Sequence, residues 1–437
     1  IPRVLPPRNG SDNGWIKGTI ASYLGYPMNK KGGFIDACYL RSYALIYNEW
    51  FRNESLSEPC EISLGDATQI GSNGTDYVTD VQLGGMPCKA TKYADYFTRA
   101  LPSPQKGEDV LLPLGQRAPV TTFRGEDPEL PNPWELEPMK IGWSDNGLSW
   151  FTDDLLMSEK FTTSPAGAYQ TLFYADLSDA TAVTINQLRQ AFAVQRMAEL
   201  DARGGTRYIE LIASHFGVHS PDARLQRPEY LGGKRVPINI ADVVQMSSTD
   251  ATTPQGNVAG MSKTIDSHDT FTYSATEHGI IMGVAVIRTE HTYQQGLDRE
   301  LSREKKLDFY FPVLANLGEM YIKNKEIYLS NLNYAPDNED EEAFGYQEAW
   351  AEYRYSKNYI TGELNSDYAQ SLDIWHYGDD YDRLPILSHE WVCETSNNVA
   401  RTLAVQNQDQ WIADFYFDLT AVRPMPVYSV PSLSSWM

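Results

Sequence analysis

The sequence predicts a mainly β protein of the jelly-roll kind, its strands set far apart and joined by large, partly helical loop insertions. Three observations carry this. Ala413, Phe415, Phe417 and Leu419 alternate with Asp414, Tyr416, Asp418 and Thr420, the period of two that buries one strand face and wets the other. Gly279–Glu290 is largely apolar, rich in β-branched residues and free of proline, as strands are. The stretches between such segments are long and lack the regular strand–helix–strand spacing of a parallel sheet.

Taken in order, residues 1–35 read as a Pro/Gly-rich loop with a short apolar piece at Ile20–Tyr23. Ala37–Asn53 carries Leu40, Tyr43, Ala44, Tyr47, Trp50 and Phe51 at helical spacing. That predicts a helix with one aromatic face in the core. Residues 59–114 show loops and short segments, with Tyr93–Arg99 running into Leu101-Pro102-Ser103-Pro104 and a short strand expected at Val110–Leu114. The two prolines force extended or turning backbone. Residues 120–172 carry five prolines and Trp134, Trp143 and Trp150. So many aromatics are costly to leave in water, which predicts an ordered surface excursion inserted into the main domain.

Thr184-x-x-Gln187 is a capping-box pattern, followed by Ile185, Leu188 and Phe192 and stopped by Gly204-Gly205. A second helix is expected at Arg207–Phe216, ended by Gly217. Residues 182–217 therefore form a helical insertion. Val313–Tyr328 reads as a helix-like turn, Asp337–Glu342 as a solvated acidic loop, and Arg423–Pro431, with three prolines, as extended. Residues 1–437 are expected to make one domain around these insertions.

Charge narrows the function. The chain has 437 residues, 36 Lys and Arg against 58 Asp and Glu, and a formal net charge of −22. On average it repels nucleic acid and anionic membranes. Contact with phosphate then needs a local basic patch or a separate basic partner. Arg224, Arg227, Lys234 and Arg235 form one such cluster, and Arg303, Lys305 and Lys306 another. Ordinary salt bridging with the surplus acids is the competing explanation. Cys38, Cys60, Cys88 and Cys393 form no C-x-x-C pair, a usage that suits a reducing compartment. The sequons at Asn9, Asn53 and Asn73 read as chance matches. No apolar run reaches membrane-spanning length.

No reaction emerges from the residues. His215 and His219 are four apart as zinc ligands can be, but Gly217 lies between them and no Glu follows His215. Asp379, Asp380 and Asp382 lack the full spacing of a calcium loop. Neither a G-x-S-x-G elbow, a phosphate-binding lysine loop nor G-x-G-x-x-G occurs. No catalytic residue, metal or cofactor is assigned. A jelly-roll carbohydrate-binding protein or glycosidase, using surface Trp and a carboxylate pair, is the alternative from another class.

Several long motifs, in order along the chain, resemble the major coat protein of gokushoviruses, within the Microviridae. They are RSYALIYNEWFR at 41–52, DYFTRALPSPQKG at 95–107, and INQLRQAF, DARGGTRYIELI, SHFGV and SPDARLQRPEYLGG within 182–233. NKEIY at 324–328, FGYQEAWAEYRY at 344–355 and RPMPVYSV at 423–430 complete them. The resemblance implies an eight-stranded antiparallel viral jelly roll and a T=1 shell of many copies around circular single-stranded DNA. It implies a small basic DNA-binding protein inside, assembly in the bacterial cytoplasm, no membrane insertion, and a longer N-terminal segment than begins at Ile1. It also implies a variable protrusion at each threefold axis, falling here between APVT (118–121) and YADLS (174–178). Within it Phe123, Trp134, Trp143, Trp150, Asp153 and Asp154 are the candidates for contact with a host-cell receptor. The two basic clusters are the candidates for facing the genome. A separate spike protein would not need the motifs outside the insertion.

Overall fold

The computed structural model describes residues 1–8, 14–107, 120–122, 140–144, 147–152, 155–156, 173–175, 185–219, 227–244, 258–268, 270–275, 278–330, 339–395, 400 and 409–423. The chain divides into two compact units, Ile1–Pro102 with Pro221–Met437, and Ser103–Ser220.

The first unit has two buried clusters. In the first, β1 (Arg3–Leu5) lies between β2 (Ile35–Asp36, antiparallel) and β3 (Gln69–Ile70, parallel). Residues 1–35, expected as loop, thus supply a strand and a helical turn, α1 (Ile20–Tyr23), capped by the Thr19 hydroxyl. The expected long helix begins as α2 (Ala37–Ile46), whose Asp36 side chain accepts from the Cys38 N–H. It ends in a π-helical turn at Tyr47–Phe51. Leu40, Ala44 and Tyr47 pack with Val4, Trp15 and Val81. Trp15 meets Tyr26 edge-on and donates its indole N–H to the Leu83 carbonyl at 3.2 Å. Trp50, expected on the buried face, is half exposed: the wider turn swings it toward Tyr230 and the Pro228 carbonyl instead.

The second cluster joins Tyr96, Phe97, Ala100, Tyr293, Ile322, Ile327 and Phe344. Where a helix-like turn was expected, Glu319–Lys323 is a strand, paired antiparallel with Ala343–Glu348. Gly318, at φ +82°, precedes it, and Ile322 points into the core while Tyr321 faces outward. Alternation in a five-residue strand shows less in sequence than a helical stripe does. Of the acidic run, Glu339 and Glu342 are exposed, but Asp340 and Glu341 turn toward the protein. Asp340 accepts from the Ser330 N–H and hydroxyl, and Glu341 pairs with Lys323 at 2.7 Å and with Lys325.

Gly279–Glu290 and Ala413–Thr420 do not form ladder strands. Both run irregular, with Ile281, Phe415, Phe417 and Leu419 exposed. A period-two sequence needs a neighbouring strand to become one. A further antiparallel ladder of this unit pairs Ile240–Val244 with Val258–Ser262.

In the second unit, Val120–Thr122 pairs antiparallel with Phe173–Ala175. Lys140–Ser144, Gly147–Thr152 and Leu155–Leu156 form a three-stranded meander. Two helices follow, here α3 (Ile185–Arg203) and α4 (Tyr208–Phe216). The expected glycine stops hold: Gly205 sits at φ +84° and Gly217 at φ +66°, the left-handed caps that residues with a Cβ disfavour. Val110–Leu114, Thr184 and the tail beyond Arg423 lie outside the described residues.

Candidate functional site: an inserted excursion, paired cations and a buried ionic centre

The segment expected as a surface excursion is bracketed by a strand pair. Val120 faces Ala175 and Thr122 faces Phe173 across an antiparallel pair. Strands so paired lie about 5 Å apart, so the chain leaves and returns at one place. Of the six receptor-contact candidates, Trp143 lies opposite Leu148 and Trp150 opposite Ile141 in the meander. Phe123, Trp134, Asp153 and Asp154 lie outside the described residues, as does Arg224.

Both basic clusters reach carboxylates, though most of their described cations stay exposed. Lys234 binds Asp266 at 2.5 Å, and Arg235 binds Glu290 at 2.6 Å while its guanidinium covers the Tyr93 ring at 4.3 Å. Arg303 is half-buried, stacked on Tyr353 at 4.5 Å and 3.7 Å from Glu352. Lys305 and Lys306 are exposed, Lys306 lying over the Phe311 ring. Arg227 is exposed.

His215 binds Asp201 at 2.6 Å rather than pairing with His219. Among the described residues no His, Cys, Asp and Glu group could hold a metal ion. The Cys60 and Cys88 thiols, 3.7 Å apart, are free.

The most concentrated electrostatics sit inside the first unit. Asp379, one of the acids considered for calcium, is buried. It takes a hydrogen bond from His291 at 2.8 Å, one from the Tyr381 hydroxyl at 2.7 Å and the Lys92 ammonium at 3.3 Å. The other ring nitrogen of His291 meets Glu394 at 3.1 Å. Trp391 covers Lys92 at 4.6 Å and donates its indole N–H to Tyr381. Burial alone would lower the His291 pKa, but hydrogen bonds to two carboxylates outweigh it and lift it to about 9. Burial would raise that of Asp379, yet His291 and Lys92 hold it well below the usual carboxylate range.

In a second centre, Glu326 accepts from Arg299 Nε at 2.9 Å and Nη2 at 2.6 Å, and from the Tyr96 hydroxyl at 3.3 Å. These networks bind segments more than 200 residues apart. Tyr96, Arg299 and Glu326 also line a pocket of about 260 Å³ with Arg303, Glu352 and Lys357, while the Asp379 network ties distant segments of the scaffold together.

The sequence reading missed both centres. Their partners are distant in the chain, and the only local hint was an unusual density of Asp and Tyr around 377–382.

Comparison with known proteins gives one consistent result. Residues 1–433 match the phage family described as Capsid protein (F protein). The chain is 42% identical over 452 residues to Capsid protein VP1 of Spiroplasma virus 4, covering 99% of this chain and 79% of that protein. It is 40% identical over 444 residues to Capsid protein VP1 of Bdellovibrio phage phiMH2K, covering 99% and 78%. With Capsid protein VP1 of Chlamydia phage 1 it shares 34% over 482 residues, covering 99% and 80%.

Proposed function

This chain belongs to the phage capsid protein (F protein) family, and on that premise we propose that it closes into a T=1 icosahedral shell around circular single-stranded DNA. It is a structural component of the virion and not an enzyme. The finer reading is an eight-stranded antiparallel jelly roll that carries residues 120–172 outward as a threefold protrusion for host attachment, with residues 182–217 as a second, helical insertion. Assembly proceeds in the bacterial cytoplasm.

The rooted excursion carries this reading. Its two ends pair as strands, so a long, Trp-bearing segment can vary without moving the fold beneath it. Charge supports the second part. With a net charge of −22 and with Lys234, Arg235 and Arg303 each beside an acid, the chain has little spare positive charge for phosphate. A small basic partner then supplies the neutralisation, and Arg227, Lys305 and Lys306 are the exposed cations for direct contact.

Excision tests the attachment role. Replacing residues 123–172 by a short turn is expected to leave shells intact and to abolish adsorption to host cells. Unchanged adsorption overturns it.

A further inference from the structure

The outer face of α3 is basic and apolar together. Arg189, Phe192, Arg196, Met197 and Leu200 are all exposed, Phe192 by 66% and Met197 by 59%. Arg189, Arg196 and Arg203 recur every seven residues, close to two helical turns, and so lie along one stripe. Arg189 and Arg196 hold no ion pair among the described residues. The neighbouring α4 has an apolar sequence, YIELIASHF, and yet none of its residues is buried.

The chain also carries the complement of this face. Residues 360–382 contain Glu363, Asp367, Asp373, Asp379, Asp380 and Asp382 and no Lys or Arg. Asp379 is spent inside, while Glu363, Asp367, Asp380 and Asp382 are exposed. The same segment exposes Leu364, Leu372, Ile374 and Trp375, the last by 60%. Apolar surface rimmed by opposite charges is the composition of a protein interface. Exposed apolar surface rimmed by polar residues marks interaction sites.

We propose that the Arg189–Leu200 face of α3 in one copy docks on the acidic, apolar segment 360–382 of a second copy. The contact is heterologous: two different patches meet, and repetition about a symmetry axis closes a ring. It rests on the capsid reading and names one surface through which that shell is built. A nucleic-acid partner fits less well, because α3 also carries Glu199 and Asp201, which repel phosphate. The charged rim makes the encounter fast and salt-sensitive, while Phe192 and Met197 supply the buried anchor.

The test uses the complete coat protein, supplied in host cells to a phage that lacks its own coat gene. Arg189→Glu combined with Arg196→Glu is expected to lower the yield of sedimenting shells at least tenfold, with soluble subunits whose thermal melting is unchanged. Glu363→Arg with Asp367→Arg should lower it likewise, and combining both pairs should restore much of the yield. Should the glutamate pair fail to fold, Arg189→Gln with Arg196→Gln gives the same readout with a smaller fall. Undiminished yield, or no recovery in the combined variant, overturns the contact. Shells in normal number but without DNA would assign the stripe to nucleic acid instead. If the unaltered protein formed no shell in the same cells, the capsid reading would fail, and this contact with it.

Discussion

At His291 both ring nitrogens are committed to carboxylates, so the folded protein holds an imidazolium where an unfolded chain would hold a mostly neutral ring at pH 7. A raised folded pKa stabilises fully below the unfolded value near 6.5 and loses that contribution as pH climbs through about 9. Asp379 works in the opposite sense. Its depressed pKa stabilises above the ordinary carboxylate range and is lost as pH falls through the folded value. Thermal melting of the subunit should therefore be highest between the ordinary carboxylate and imidazole values, from about pH 4 to 6.5, and drop on both sides. His291→Ala should cost roughly 3–5 kcal/mol, because it strips a buried carboxylate of its partner, and should flatten the alkaline drop. A variant whose melting temperature still falls through pH 9 would place that transition elsewhere. None of this was legible locally: His291 lies 88 residues from Asp379 and 103 from Glu394.

The helices were legible because their signals are local. Apolar spacing, with Gly205 and Gly217 beyond C-termini, specifies α2, α3 and α4 without reference to the rest of the chain; the Asp36 cap of α2 went unread. Gly217→Ala, forced into the left-handed region, should destabilise by about 1 kcal/mol, read as earlier proteolysis within residues 185–219. Strands were read less well. The Glu319–Lys323 strand is paired by a segment that begins twenty residues later, and its five residues carry too little alternation to outweigh the helix-like spacing of Val313–Tyr328. Gly279–Glu290 and Ala413–Thr420 have the alternation or the β-branched content but no ladder, since pairing is decided by what lies alongside. Ile322→Ala, in the heart of the second cluster, should cost roughly 2–5 kcal/mol, measurable by denaturant unfolding. A loss under 1 kcal/mol would mean that this hairpin is peripheral to stability.

For the whole molecule the governing facts are an excess of acid, cations several of which are paired with it, and much apolar surface left open among the described residues. A net charge of −22 keeps single subunits apart at long range. Contacts that overcome it must pair opposite charges at short range and bury aromatic anchors, and many weak contacts per subunit then make a closed shell stable. The family was legible from long motifs spread across the chain, and the residues 1–433 match bears that out. The candidate surface residues were legible only as types. Which cations are free and which are bound to acids depends on distant partners such as Asp266, Glu290 and Glu352. Raising salt should slow assembly if local charge pairing outweighs the net repulsion between subunits; light scattering from subunits mixed at low and high ionic strength would report it, and faster assembly in high salt would mean that relief of that repulsion dominates. The central claim is tested most directly by electron microscopy of the native assembly. Uniform small icosahedral particles with short knobs on the threefold axes are expected, with residues 120–172 in the knobs, and native material holding only monomers or small oligomers would contradict it.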